Sequence, residues 1–499
     1  MDSKLIIARG IKLDKNYTNV LSYDTNDMLS LVESHEEYSE NNYNYIDYTK
    51  NEIMANVDYS VVMRCNYIAF QNPRHGNKWY FAFIDDVKYK APNQCIIMFT
   101  IDVWSTFFDN WSSRPCFVVR EHVNNDTIGA HTVPENVTTG DYVCTYEGGI
   151  QQLLQNPKVI ISATVDEGGT KSGGNIYNGV PTAYDYFMYN INDASGIQNH
   201  INVANAQGGD INQMFIAPDW IVGGTIGAHL IEPTNSPKRE YGAIPEITQL
   251  DGYTPKNKKL LTYPFCFDKL TNMQGQESIL HQELWANSTQ DDVSGKVLEI
   301  SACLTAGCSV RAIPHYYAGE SLAPDYGISG PKYPQLNWKT DAYINWLTQQ
   351  GVNEITQTAE DTLINPGGAL NGISNLLISN YKAYKTPPQV KGNINCGDVM
   401  FARGLCTIYI LSFTIKREYA EQIDDYFSRY GYKINEVKLP NIYGRQNFNF
   451  IEIGKDDCIG YGSLPSKYME EINNICRQGV TIWHNHDNLG NYNINNPII

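Results

Sequence analysis

Three consecutive stretches decide the fold class: Lys78-Trp-Tyr-Phe-Ala-Phe-Ile84, the turn Lys90-Ala-Pro-Asn93, and Cys95-Ile-Ile-Met-Phe-Thr-Ile101. Aromatic and β-branched residues fill the two outer stretches, and Pro and Asn separate them, which is the pattern of adjacent antiparallel strands. Upstream, Tyr59-Ser-Val-Val-Met-Arg-Cys65 predicts a third strand, joined to the first through the turn Asn72-Pro-Arg-His-Gly76. The three make an antiparallel meander. Downstream, Asp102 is placed to cap a short helix running to Asn110, and Phe117-Val-Val-Arg-Glu-His-Val123 predicts a further strand.

Strand signals recur along the chain at Val159–Val165, Tyr184–Tyr189, Gln213–Ala217, Glu277–Trp285, Gly295–Cys303, Arg311–Tyr317, Leu405–Phe413, Phe448–Gly454 and Thr481–His484. A short helix is expected near Ile191–Ala206. Two amphipathic helices are expected at Lys416–Tyr430 and Ser466–Gln478, each ended by a glycine, Gly431 and Gly479. The expected fold class is mainly β with some α (α+β), spread over several domains. The 35 Tyr, 39 Gly and 22 Pro residues agree with a β-rich chain full of turns.

The 499 residues are 42% hydrophobic and 18% charged, which excludes an intrinsically disordered chain. The net charge of −17 excludes a protein that grips the phosphate backbone by bulk charge. No run of 18 apolar residues occurs, so no standard membrane-spanning helix is expected. The 11 cysteines contain no C-x-x-C pair and read as buried, reduced thiols.

Signals for catalysis are weak. Trp483-His484-Asn485-His486-Asp487 gathers metal-capable groups, but a zinc site needs more ligands than the two histidines supply, and a polar strand end is the simpler reading. His122 and His131 are isolated, and Glu121-His122 is expected to serve packing or a contact between subunits. The pairs Asp85-Asp86, Asp291-Asp292, Asp424-Asp425 and Asp456-Asp457 diverge on either a strand or a helix, so they read as surface charges rather than as a glycosidase pair. The Gly-rich stretch Gly168–Gly174 lacks the Lys-Ser/Thr of a phosphate-binding loop. The expectation is therefore no enzyme, no metal and no cofactor.

The run from Thr362 to Tyr381 carries no charge, and Pro366, Gly367, Gly368 and Gly372 break it too often for a stable helix. Leu363, Ile364, Leu370, Ile373, Leu376, Leu377 and Ile378 supply its apolar surface. A linker covering a core is one reading.

A set of ordered landmarks resembles the distal tail-tube, or tail-knob, proteins of small short-tailed (picovirus-type) bacteriophages. The landmarks are Asn66–Asn72, Gly76–Phe83, Phe99–Trp104, Phe117–Val123, Gly252–Leu260, Asp425–Asn435, Lys438–Asn441 and Gly479–Asn485. The resemblance implies a ring-forming homohexamer at the tail tip, assembled in the host bacterial cytoplasm and joined to upper tail or collar proteins. It implies tail-tube-like wall modules at 1–125 and at 251–339 with 391–499, an inserted mixed α/β domain at 126–250, and an apolar gating loop at 340–390. That loop would plug the lumen and act in penetration of the host membrane. It is shorter and less apolar than in the family's larger members, a departure that bears on the pore more than on the plug. Six copies would carry six times −17, or −102, charges, which suits a conduit that genomic DNA passes without specific binding. The alternatives are a tail-associated adhesin for the host cell surface and a cell-wall or polysaccharide hydrolase, both lodged in the 126–250 insertion.

Overall fold

The computed structural model describes residues 3–47, 50–73, 76–150, 158–170, 176–177, 180–181, 184–190, 193–207, 209, 211–221, 238–272, 275–285, 296–305, 307–318, 321–333 and 408–499. The chain divides into two compact units, one of residues 1–138, 255–260 and 418–499, the other of 139–254 and 261–417.

The first unit contains two large sheets and a two-stranded pairing of Trp111–Ser113 with Gly460–Gly462. A seven-stranded antiparallel sheet runs in the spatial order Glu36–Asn41, Lys4–Ala8, Tyr67–Gln71, Trp79–Ala91, Gln94–Ile101, Glu52–Ala55, Asn44–Asp47. The meander lies at its centre, with Ala69 opposite Phe81 and Val87 opposite Ile97. Alternation in its strands sorts side chains to two faces. Leu5, Ile7, Ile68 and Phe70 pack one core with Ile53, Ile97 and Phe99. Ile6, Ala8, Tyr67, Phe81 and Phe83 pack the opposite core with Met28, Leu31 and Val32 of the Thr25–Ser34 helix and with Phe448 and Trp483.

The meander's first strand is Tyr67–Gln71, and Tyr59-Ser-Val-Val62 is a helical turn instead of the expected strand. Asp58 explains the difference: its carboxylate accepts the Ser60 N–H at 2.8 Å and caps the turn, a local bond that overrides the β preference of Tyr and Val. The expected cap at Asp102 is present over the Val103–Phe107 helix.

The second sheet joins both ends of the chain, in the order Asn19–Leu21, Val480–Trp483, Phe448–Ile453, Cys116–Glu121, Tyr432–Lys438. The Ser466–Gln478 helix covers it through Ile472, Ile475 and Cys476, against Val118, Ile451 and Ile482. Segments 1–125 and 418–499 therefore share sheets and cores, where the sequence reading had placed them in separate wall modules.

In the second unit, Tyr142–Ile150, Ile408–Ile415, Cys266–Thr271 and Glu277–Leu280 form a four-stranded sheet. A three-stranded sheet has Lys158–Ala163 at its centre, between Asp185–Asn190 and Ile211–Ala217. Another four-stranded sheet orders Lys238–Ile244, Lys296–Ser301, Ser309–Pro314 and Ile328–Lys332. One core, including Ile150, Ile160, Phe215, Leu270, Leu298 and Ile410, serves all three. The expected boundary at 126–250 is thus redrawn, because Tyr142–Ile150 pairs with Ile408–Ile415 and cannot close on the insertion alone. At its centre Lys296 and Asp268 form an ion pair with both side chains fully buried. Ser412 donates to the same Asp268 at 2.6 Å, and Lys296 also reaches Gln282 at 3.1 Å.

Nine cysteines are described and none is in a disulfide. Among the described residues, no helix is long and apolar enough to cross a membrane.

Candidate functional site

A buried polar cluster in the first unit gathers four of the sequence landmarks, 117–123, 252–260, 425–435 and 438–441. It starts from the Arg417–Tyr430 helix, whose Ala420, Ile423 and Phe427 form the buried stripe. Asp424 lies on that same stripe and is fully buried. Its carboxylate accepts the Lys256 N–H at 2.8 Å, the Asn257 N–H at 3.0 Å and the Asn257 side-chain amide at 2.7 Å. This holds the landmark segment 255–260 on the helix. The sequence reading took Asp424-Asp425 as surface charges. Asp425 is exposed, but Asp424 is not, because three donors replace the water it loses.

Gly431 turns the chain out of the helix at φ 65°, with its N–H on the Phe427 carbonyl at 2.8 Å. A Cβ there would meet the Glu121 carbonyl oxygen at 2.0 Å, so only glycine fits.

Glu135 is the hub of the cluster. It pairs with Arg120, accepts from Lys259 at 2.6 Å and accepts the Lys433 N–H at 2.9 Å. The Lys259 and Glu135 side chains are 3% and 1% exposed, so both charges are out of water. Burial alone would raise the Glu135 carboxyl, but the bond and charge of Lys259, with the Lys433 N–H and Arg120, outweigh it and hold it below the usual carboxylate range. Arg120 also donates to the Gly431 carbonyl at 2.8 Å and lies over the Tyr426 ring. Asp126 accepts from the Tyr432 hydroxyl and the Lys258 N–H.

Glu121, also fully buried, accepts from Lys438 and from the Asn441 N–H at 2.8 Å. His122 accepts the Phe450 N–H at Nδ1, 2.8 Å away, and its Nε2 lies 3.1 Å from the Ser428 carbonyl. That places the proton on Nε2, which donates to Ser428. Burial, with the nearby Arg445 charge, pushes this imidazole down to about 3. Glu121-His122 thus serves packing within the chain.

Each carboxylate of the cluster is committed to a cation, a hydroxyl or a backbone N–H. Such an arrangement holds chain segments together and offers no free general base. The segments it ties border every point where the chain passes from one unit to the other, near residues 138, 254, 260 and 417. Sequence reasoning missed Glu135, Lys259 and Asp424 as partners. A polar residue on the apolar stripe of the 417–430 helix was the available signal.

The other sequence candidates fall as follows. Leu363, Ile364, Leu370, Ile373, Leu376, Leu377 and Ile378, with the whole 340–390 loop, lie outside the described residues, as do Asp291 and Asp292. His484 bonds Ser22 at 2.8 Å and Asn449 at 3.1 Å, while His486 meets Tyr23 and Asp487, so the two rings serve different partners. Among the described residues, no group of three or more His, Cys, Asp or Glu side chains is placed to hold a metal. Asp85 accepts from Lys15 and Thr100, and Asp457 accepts the Phe117 N–H, which leaves both tied to the fold.

Residues 234–386 and 382–497 match the family described as Bacillus phage phi29, tail knob protein gp9, C-terminal domain. Residues 1–112 match the caudoviral major tail protein N-terminus. The chain is 23% identical to the tail knob protein gp9 of Bacillus phage PZA over 90% of each chain, and 23% identical to that of Bacillus phage phi29 over 87% of each. Among solved structures, the bacteriophage C1 tail knob protein gp12 superposes with a TM-score of 0.61 at 13% identity, covering 100% of both chains, which supports the fold. These matches run from the first strand to the last, through the landmark stretches that build the buried cluster, and the chain belongs to the tail knob proteins of phi29-like short-tailed phages, structural components of the virion tail.

Proposed function

We propose that six copies of this chain form the distal tube of the tail, a conduit for genome ejection, with the 340–390 loops converging on the axis as a plug. The observation that carries this reading is the joining, in one chain, of a match to a major tail protein N-terminus with a match to a tail knob C-terminal domain. The first unit supports it physically. Its five-stranded sheet uses both ends of the chain, and buried charge pairs fasten the segments next to every chain crossing. The net charge of −17 per copy suits a lumen that repels phosphate. The upper face of such a ring meets upper tail or collar proteins.

In the plug, Leu363, Ile364, Leu370, Ile373, Leu376, Leu377 and Ile378 exclude water from the axis. Electron microscopy of the purified full chain tests this. Six-fold rings with axial density that disappears on deletion of 340–390 are expected. Open, unplugged rings of the intact chain would remove the plug, and strictly monomeric particles at every concentration would remove the tube. The same uncharged segment acts on the host membrane once released. Full-length protein is expected to leak dye from liposomes, and equal leakage by the 340–390 deletion would exclude this segment as the cause.

A further inference from the structure

A recessed cleft of about 580 Å³ opens in the first unit beside the buried cluster. One side is the helix end that carries Arg429, and the other is the chain segment from Tyr492 to Ile498. Its walls have an unusual composition. Asn257, Asn493, Asn495 and Asn496 supply amides, and Arg429 and Arg445 supply two guanidinium groups.

Neither arginine has a carboxylate within ion-pair distance among the described residues. Arg429 lies over the Tyr492 ring, 5.5 Å from its centre. Arg445 donates from Nη1 to the Asn496 carbonyl at 3.3 Å, and its Nε is buried without a partner. Both acidic residues of the cleft are already engaged. Asp126 accepts from Tyr432 and Lys258, and Asp425 faces Lys256 at 4.0 Å. His122 is neutral, with both ring nitrogens bonded.

Counting Lys256, Arg429 and Arg445 against Asp126 and Asp425, the cleft has an excess of one positive charge in a chain of −17. Guanidinium groups recognise carboxylate and phosphate through paired N–H donors. Amide side chains carry a donor and an acceptor each, and so fit neighbouring hydroxyls.

We propose that this cleft binds one oxyanion group, a phosphate or a carboxylate, carried on a small hydroxylated skeleton. Arg429 and Arg445 take the charge, and Asn493 and Asn495 take the hydroxyls. This site is independent of the plug and of the ring.

The test uses the full chain in calorimetric titrations at fixed ionic strength, with inorganic phosphate, glycerol phosphate and citrate as separate probes. Saturable binding is expected, tighter for glycerol phosphate than for inorganic phosphate, and the citrate arm separates carboxylate from phosphate. Arg429→Gln should weaken binding about tenfold, the loss of one charge-assisted contact. Because Arg429 is exposed, this variant tests the cleft without a folding defect. Arg445→Gln should weaken binding further. No saturable heat with any probe, or affinities unchanged in Arg429→Gln, would overturn the site. Equal affinity for glycerol phosphate and inorganic phosphate would remove the skeleton from the proposal.

Discussion

The two units bury charge in different ways. In the first unit, Glu135 gathers Arg120 and the Lys433 N–H from two paired strands and Lys259 from a separate turn. In the second, Lys296 and Asp268 form one pair inside the core, 0% exposed on both sides, with Ser412 and Gln282 completing the bonds. Each solution meets the same requirement, that a buried charge must be paired and hydrogen-bonded. They differ in what the charge does. Glu135 fastens its own segment and that of Lys259, which lie in no sheet, onto two paired strands, next to the chain crossings. Lys296 fills a space between strands that apolar side chains could also fill. The first arrangement should resist replacement by apolar residues, and the second should tolerate it.

The largest expected effect is at the hub. Glu135→Ala removes the carboxylate shared by the buried cations Arg120 and Lys259. Loss of one partner of a buried pair costs about 3–5 kcal/mol, and loss of a partner shared by two cations places this variant at the upper end. Urea unfolding followed by a first-unit tryptophan such as Trp104 or Trp483 should show an earlier transition. A shift under about 1 kcal/mol, the level of exposed pairs, would mean that the cluster is solvated and not a clamp.

Lys296→Met should cost about 3 kcal/mol, since it leaves Asp268 with Ser412 as its remaining partner. The informative variant is Lys296→Met with Asp268→Leu, which should recover most of that loss. The parallel replacement of Glu135, Arg120 and Lys259 by apolar residues should not recover, because the Lys433 N–H and the Gly431 carbonyl would lose their partners. Equal recovery in both units would erase the distinction between fastening and filling.

Much of this was legible in the sequence, and the limits are physical. The meander strands, the 417–430 and 466–478 helices and their terminal glycines follow from local patterns, which a window of a few residues contains. Segment 59–65 failed because a single side chain, Asp58, outweighed the preference of its neighbours. Strand pairing across the chain failed for another reason. The pairing of Val480–Trp483 with Asn19–Leu21 spans more than 450 residues, and no local pattern encodes a partner at that distance. The clamp was half legible. Asp424 stood on the apolar stripe of its helix, which signals burial, but its donors at 256 and 257 are again remote.

A pH scan separates the units without mutation. The native His122 is held near 3, below the ordinary value of about 6.5. Between those two values the unfolded chain binds a proton that the folded chain does not, so stability rises with pH across that window and falls as the medium is acidified. Glu135, held low in the folded state, adds to the loss at the acid end, below the ordinary carboxylate range. Both groups belong to the first unit. Its transition should therefore move to lower urea between about pH 6.5 and pH 3, and His122→Gln should flatten the upper part of the dependence. A second-unit transition that moves in parallel would show the two unfolding as one.

The smallest effect tests the correction at Tyr59-Ser-Val-Val62. If Asp58 turns this β-prone stretch into a helical turn, Asp58→Ala should release it while the neighbouring sheet stays intact. Met63 and Arg64 donate into the turn through the carbonyls of Tyr59 and Val61, so their amides report it directly. Faster hydrogen exchange is expected at Ser60, Met63 and Arg64, with Tyr67–Gln71 unchanged, because that strand is held between Lys4–Ala8 and Trp79–Ala91. Unchanged exchange at Met63 and Arg64 would mean that packing of Val62 in the core, rather than the cap, sets the turn. Loss of protection through Tyr67–Gln71 as well would show that the turn, small as it is, sets the register of the meander that follows it.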